Sequence, residues 1–326
     1  MNKRESKSCL VYENTMYSLF LYILFDDKWK EKNYLFFGDR LSESFIENFS
    51  SSAKNVSFLN SSKFDLKKRP VRFYYNRFLE VWKFRNTEVA IGQVNTFYIP
   101  FKKIRRIAIE DGMGTYVEIR KLANGGSCRN LKQIISIKQS ILYHSPDEYI
   151  ITGSEDVPAS VNKGFHVVDL KKQWEQLENV EKKEIQDIFS ITQSVLERAM
   201  SRKILLLTQC FSEDGFMEEK DKITGYKKLI SNLGFDENQI IIKTHPRERT
   251  DYRLIFPNAC IIDEKVPFEL LSLLDIKYSD VITLTSTSVY SLQYDLNIFF
   301  MGYLDYFNFN RDMPTLKPKI IQKLKS

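Results

Sequence analysis

An α/β chain of two Rossmann-like domains, with parallel sheets facing a central cleft, is the fold class that this sequence predicts. Three observations carry the expectation. Short β-branched or apolar runs alternate with longer amphipathic stretches, the pattern of parallel strands covered by helices. The alternation runs twice along the 326 residues, and such a length suits about two domains at roughly 100–200 residues each. Between the two sets lies 170–200, rich in Lys, Glu and Gln and free of Gly and Pro, which reads as a linker and helix. The domains expected are 1–196, binding the acceptor, and 197–326, binding the donor.

The elements follow in order. Cys9 to Tyr12 reads as a first strand, Glu13 to Thr15 as a turn, and Met16 to Phe25 as a buried helix. Further strands of the first set are expected at Asn33–Phe37, Glu88–Ile91, Arg106–Ile109 and Tyr149–Thr152. The second set starts at Ile204–Thr208 and continues through Ile240–Lys243, Ala259–Ile262, Val281–Thr283 and Ile298–Met301. In open sheets of this kind ligands bind at the carboxyl ends of the strands, so the loops there are the ones to search.

Composition narrows the function. Hydrophobic residues are 43% and charged residues 28%, which excludes disorder, collagen-like repeats and a disulfide scaffold. Three histidines are too few for a histidine-rich metal site. Cys9, Cys128, Cys210 and Cys260 are scattered, with no C-x-x-C pair, so zinc ribbons and thioredoxin-like motifs are excluded and a reducing compartment fits. Met16 to Phe25, the most apolar run, is about half of the ~20 residues that a spanning helix needs. Glu13 and Asn14 interrupt the apolar start and no small-x-small site follows, which speaks against a signal peptide and for the cytoplasm. The D-x-D, G-x-x-x-x-G-K-[ST] and G-x-G-x-x-G signatures are missing.

The formal charge is +6. Basic clusters occur at Lys67–Arg72, at Lys102–Arg106 and in the tail. There Arg311, Lys317, Lys319, Lys323 and Lys325 interleave with Ile320, Ile321 and Leu324. The tail reads equally as a basic amphipathic helix on an anionic membrane surface or as a solvated terminal helix. Nucleic acid is not expected, because the excess is modest and no nucleic-acid-binding motif occurs.

Four constellations could carry chemistry. Ile109-Glu110-Asp111-Gly112-Met113-Gly114-Thr115-Tyr116 follows the run RRIAI. A carboxylate at a strand end can take a hydroxyl proton, and the glycines allow close approach; an acidic turn is the plainer alternative. Lys243-Thr244-His245-Pro246-Arg247-Glu248 follows QIIIK. An imidazolium there could stabilise or protonate a departing phosphate oxygen. Thr283-Leu284-Thr285-Ser286-Thr287-Ser288 supplies hydroxyls and backbone N–H groups suited to an anion, or simply a helix cap. Pro267-Phe268-Glu269 opens a helix, where Glu269 could accept from ribose hydroxyls or serve the helix dipole. A second Glu213-Asp214-Gly215 reads as a loop touching the nucleotide rather than as the base.

EDGMGTY, KTHPRE, VPFELL and TSTS in this order resemble the bacterial sialyltransferases of glycosyltransferase family 52 and their polysialyltransferase relatives. The opening CLVYENTMYSLF resembles that family's strand–turn–helix start more loosely. The resemblance implies a GT-B fold and inverting, metal-independent transfer from CMP-sialic acid, with no cofactor. Carried over by motif, Asp111 is the general base and His245 assists CMP departure. Ser286 and Thr287 hold the phosphate, Glu269 the ribose, and Gly112 gives access beside the base. The wider substrate-binding set is Glu110, Gly114, Gln209, Pro246, Pro267, Phe268 and Ser288. The chain departs from the family in TSTS, which admits Ser288 in place of a neighbour. It also lacks a long insertion in the first domain, which speaks against a domain-swapped dimer but leaves a homodimer open.

The expectation is therefore a sialyltransferase acting on a galactose-terminated glycan of a bacterial surface polysaccharide (O-antigen, capsule or lipooligosaccharide). Its acceptor would be pyrophosphate-lipid linked at the inner face of the cytoplasmic membrane. The rivals are another GT-B glycosyl- or polyol-phosphate transferase with a different nucleotide donor, and a non-enzymatic binding protein on a degenerate transferase fold.

Overall fold

The computed structural model describes residues 9–37, 40–59, 75, 79, 82–92, 104–123, 146–313 and 316–323. The chain divides into two compact units, Met1–Ile188 and Phe189–Ser326. The helix Gln193–Met200 thus belongs wholly to the second unit, whereas the expected boundary fell inside it.

The first unit runs β1 (Cys9–Glu13), α1 (Met16–Phe25), β2 (Asn33–Phe37), α2 (Glu43–Ser52), β3 (Asn55–Leu59), β4 (Val89–Gly92) and β5 (Arg105–Ile109). It continues with α3 (Met113–Ala123), β6 (Glu148–Ile151), β7 (Gly164–Val167), α4 (Leu170–Gln176) and α5 (Asn179–Ile188). Among the described residues its seven strands lie in the order β3-β2-β1-β4-β5-β6-β7, every pair parallel. The chain winds outward from β1 to β3, then returns to the other side of β1. The crevice at the carboxyl ends of β1 and β4 is therefore the sheet's switch point.

All five residues of β1 are buried, as expected of a parallel strand covered on both faces. α1 is apolar almost all round and buries eight of its ten residues. Its Phe20 meets Trp174 of α4 edge-on, with ring centroids 6.4 Å apart. The polar Ser18 in this helix is satisfied by donating to the Glu110 carbonyl at 2.8 Å.

The second unit runs α6 (Gln193–Met200), β8 (Ile204–Leu207), α7 (Glu219–Leu233), β9 (Ile240–Lys243), α8 (Tyr252–Ile255) and β10 (Cys260–Ile262). Then follow α9 (Phe268–Ser272), β11 (Asp280–Thr283), β12 (Leu296–Phe300) and β13 (Lys319–Lys323). The order is β10-β9-β8-β11-β12-β13, with the switch point between β8 and β11. Only β13 runs antiparallel, against β12. The core gathers Leu206, Tyr226, Ile242, Ile282 and Phe307. Phe307 lies so close to α7 that a Cβ on Gly225 would stand 2.4 Å from its ring.

Several expectations are corrected. The tail is no helix in its described part: Lys319 to Lys323 pair with β12 from Phe300 to Leu296. Isolated helices shorter than ~12 residues are marginal, and the open edge of β12 offers this segment a full ladder instead. The basic membrane-surface helix is thereby withdrawn. Asn55–Leu59, Gly164–Val167 and Lys319–Lys323 are strands that the alternation did not announce. The stretch read as one linker and helix is three helices, α4 to α6. The Lys67–Arg72 cluster, Lys102, Lys103, Cys128, His144 and Lys325 lie outside the described residues. Arg105 pairs with Glu148 at 2.5 Å and Arg106 is buried, donating to the Ile104 carbonyl at 3.1 Å. His166 is accounted for by Glu148, 2.8 Å from its Nε2. Among the described residues, no helix is long and apolar enough to cross a membrane.

Candidate active site

In the first unit the neighbours Glu110 and Asp111 divide the work. Glu110, expected to touch substrate, turns inward and is 2% exposed. Its Oε1 accepts from Tyr17 Oη at 3.0 Å and its Oε2 from Tyr116 Oη at 2.8 Å. The Thr152 N–H and hydroxyl also donate to it, at 2.6 and 2.9 Å. Glu110 thus ties α1, α3 and the end of β6 to the end of β5, and it has no oxygen left to offer a ligand.

Asp111 is exposed. Its backbone N–H donates to Thr115 Oγ1 at 2.9 Å, which fixes the turn into α3. Gly112 completes that turn at φ +71°, and a Cβ there would meet nothing within 4 Å. Only the backbone angle therefore requires a glycine. Gly114 sits exposed in the first turn of α3.

In the second unit the motifs converge on the carboxyl end of the sheet. His245 leaves β9 and is half-buried. Its Nδ1 accepts from the Arg247 N–H at 3.2 Å, so in the neutral ring Nε2 carries the proton. Burial, then Arg247 and Lys243, pull its pKa from 6.5 down to about 4. The imidazolium expected from the sequence is therefore not the resting form. The ring instead presents a neutral Nε2–H.

The flanking cations do not reach outward. Lys243 is buried, and its Nζ donates to the carbonyls of Thr244 at 2.8 Å and Glu264 at 3.1 Å. Burial lowers its pKa to about 8, against the pull of Glu264, Glu248 and Glu269. Arg247 forms a two-pronged pair with Asp214 at 2.6 and 3.0 Å. The second Glu-Asp-Gly motif is thus a clasp for the histidine loop: Glu213 also accepts the Arg249 N–H at 2.8 Å, and Gly215 closes the turn at φ +73°. Pro246 is half-buried between these anchors.

Beneath the loop lies a group that the sequence did not mark. Glu248 Oε2 accepts the His245 N–H at 2.8 Å and also pairs with the Thr208 hydroxyl. Its Oε1 accepts from Tyr252 Oη at 2.8 Å. The fully buried Lys222 Nζ sits 2.9 Å from Glu213 and 3.4 Å from both Glu219 and Glu248. Burial opposes the Lys222 charge, but the three carboxylates outweigh it and its pKa is raised. Gln209, at the end of β8, is held through its N–H by Tyr226 Oη at 2.8 Å.

The hydroxyl run faces the switch point. Thr283 Oγ1 accepts the Ser286 N–H at 3.0 Å, and the chain then makes a single 3-10 turn over Thr287–Ser291. Ser286, Thr287 and Ser288 are all half-buried, with no side-chain cap made by Ser286. Pro267 and Phe268 are buried and seat α9 rather than meet solvent, while Glu269 in its first turn is half-exposed. Among the described residues no group of three His, Cys, Asp or Glu has the arrangement that holds a metal.

Residues 18–302 match the family model of Glycosyltransferase family 52. The chain belongs to glycosyltransferase family 52. A family-52 chain is a glycosyltransferase, and three solved structures share its architecture. A sialyltransferase from Photobacterium damsela aligns with a TM-score of 0.54 at 14% identity, over 87% of this chain and 72% of its own. The α/β-galactoside α-2,3-sialyltransferase of Photobacterium phosphoreum gives 0.53 at 12%, over 87% of each chain. The GT-B domain of the Photobacterium damselae sialyltransferase gives 0.51 at 14%, over 87% and 88%. These likenesses establish the GT-B fold of this family-52 protein. In sequence, an uncharacterised protein of Haemophilus influenzae is 34% identical over 190 residues, 58% of this chain and 60% of that relative.

Proposed function

We propose that this family-52 chain is an inverting, metal-independent sialyltransferase. It moves sialic acid from CMP-sialic acid to a galactose-terminated acceptor of a bacterial surface polysaccharide. One observation carries the reading. Of the two adjacent acids at the end of β5, Glu110 is consumed by four protein donors while Asp111 is exposed. Asp111 is thus the carboxylate able to meet an acceptor hydroxyl. The sialyltransferase names of the structures with the same fold add support.

In this reading Asp111 takes the proton of the attacking hydroxyl as its oxygen bonds to the anomeric carbon. The bond to CMP breaks on the opposite face, and negative charge collects on the leaving phosphate. The Nε2–H of His245 donates to that oxygen. The hydroxyls of Ser286, Thr287 and Ser288 supply further donors where charge develops. A neutral donor needs no prior protonation: it stabilises the charge on the departing phosphate oxygen through its hydrogen bond and keeps its own proton. Glu269 accepts from the ribose hydroxyls. General-base help to the hydroxyl contributes about 10²–10⁴-fold. The net charge of +6 suits an anionic donor and an acceptor held at the inner face of the cytoplasmic membrane.

The test is a transfer assay with CMP-sialic acid and lactose, read by chromatography, alongside thermal shifts with CMP, UDP and GDP. Binding of CMP at 100-fold above its Kd raises stability by about 2.7 kcal/mol. Stabilisation by UDP or GDP alone would replace this reading with that of a different nucleotide-sugar transferase.

A further inference from the structure

At the switch point of the first sheet lies a second acid that the proposed chemistry leaves idle. Glu13 ends β1 and is 0% exposed. Its Oε1 accepts the Asn14 N–H at 2.8 Å and the Thr15 N–H at 3.2 Å. Its Oε2 is buried and, among the described residues, has no hydrogen-bond partner. An ionised oxygen so placed would lack both water and a donor.

The neighbours explain how it is accommodated. β4 places Gly92 beside Tyr12, at φ +104°. A Cβ at that position would stand 2.4 Å from the Tyr12 carbonyl oxygen and 3.1 Å from Glu13 Oε2. The missing side chain is thus the space that the carboxyl fills. On the other side β2 sets Phe36 level with Glu13. From α1, Thr15 Oγ1 lies 3.3 Å from Oε1 and donates to Ser18 Oγ at 2.8 Å; Ser18 in turn donates to the Glu110 carbonyl at 2.8 Å. That carbonyl belongs to the peptide leading into Asp111. Among the titratable groups, Asp111 acts on Glu13 through its charge, and Glu110 and Tyr17 are reached through the Thr15–Ser18 chain. Among the described residues no cation pairs with it.

We propose that Glu13 is a positioning residue for glycosyl transfer: an uncharged carboxylic acid, buried in the space left by Gly92, that fixes the turn carrying Asp111 and keeps a second negative charge away from it. The role rests on Asp111 being the base. Two effects would follow from ionising Glu13. A charged Oε2 would need water or a donor there, so the turn that carries Asp111 would have to open around it. The same charge would also oppose an anionic sugar donor. Burial, then the charge of Asp111, push the Glu13 carboxyl up to about 8, so these effects fall on the alkaline side of neutrality.

The experiment uses the full chain with CMP-sialic acid and lactose, and compares E13Q, E13A and D111N with the parent. E13A, which loses the acceptor for the Asn14 and Thr15 N–H groups, is expected to lower kcat about tenfold or more with little change in the donor KM. E13Q keeps an acceptor oxygen there and is expected to restore most of that loss. It is also expected to abolish the alkaline inflection near pH 8. An E13Q pH–rate profile that superimposes on the parent's, or an E13A variant with parental kcat, overturns the proposal. Parental turnover in D111N would instead overturn the base assignment, and this role with it. Thermal unfolding between pH 5 and 8 reads Glu13 without activity: relative to E13Q, the parent loses Tm as pH rises. Equal slopes would show that Glu13 is not held uncharged.

Discussion

The backbone N–H of His245 donates to Oε2 of Glu248 at 2.8 Å, so the histidine loop closes on a carboxylate from its own sequence motif. That carboxylate is buried against Lys222, which is itself 0% exposed and faces Glu213 and Glu219 as well. The position of the imidazole is thus set by a charge cluster behind its own loop.

Removing Lys222 should leave Glu248 and Glu213 in the interior without their cation. Breaking a buried pair in this way costs about 3–5 kcal/mol. Urea denaturation of Lys222→Ala is expected to show a loss in that range, with weakened CMP binding because the loop loses its anchor. A loss below about 1 kcal/mol would mean that the cluster behaves as a surface network.

Asp111→Ala and His245→Ala should separate by their effect on the donor. Both are expected to lower transfer by about 10²–10⁴-fold. Asp111→Ala should keep the CMP thermal shift, because its role concerns the acceptor hydroxyl. His245→Ala and Ser286→Ala should diminish that shift, because their groups meet the phosphate. Near-parental turnover in either of the first two variants removes that residue from the mechanism.

The pH dependence of stability should carry the histidine's signature. His245 titrates near 4 when folded against 6.5 ordinarily. Between these values the unfolded chain binds a proton at this position that the native chain does not. Its contribution is therefore complete above pH 6.5 and is lost as pH falls through the window down to 4. Melting temperatures of the ligand-free His245→Gln variant across that window should fall less steeply than the parent's. Parallel curves would place the titration elsewhere.

Gly225→Ala tests the packing of α7. The added methyl would meet Phe307 Cδ1 at 2.4 Å, inside a cluster where Tyr226 already meets the same ring edge-on at 5.3 Å. Overpacking of this kind costs about 1–3 kcal/mol, even though alanine is the better helix former. A neutral or stabilising result would show that Phe307 swings away at little cost.

The parts of the fold legible in the sequence, and those that were not, differ for a physical reason. Strands buried on both faces, such as Ile204–Leu207 and Ile240–Lys243, announce themselves as apolar runs. The three strands that went unannounced are all at sheet edges: β3 and β7 flank the first sheet and β13 closes the second. An edge strand buries less, so NVSFL, GFHV and KIIQK carry no comparable signal. At the candidate site, the loops with Asp111 and His245 were visible because each motif is continuous. Glu13 and the Lys222–Glu248 cluster were not, because what they do depends on contacts between segments far apart in the chain. Glu110 and Asp111 were told apart only by the motif resemblance; the physical difference between them is burial, Glu110 lying inside and Asp111 exposed.

The antiparallel β13 gives the positive tail a different meaning. A parallel sheet ending at β12 would present an open row of backbone groups beside Phe299 and Phe300, a template for strand addition from another chain. β13 occupies that row and places Lys319 over the Phe300 ring, with Nζ 5.2 Å from its centroid. The feature that resembled a membrane address thus covers a sheet edge, and a chain trimmed before Lys319 is expected to elute earlier than the parent in size exclusion by pairing through β12; an unchanged elution volume would overturn this.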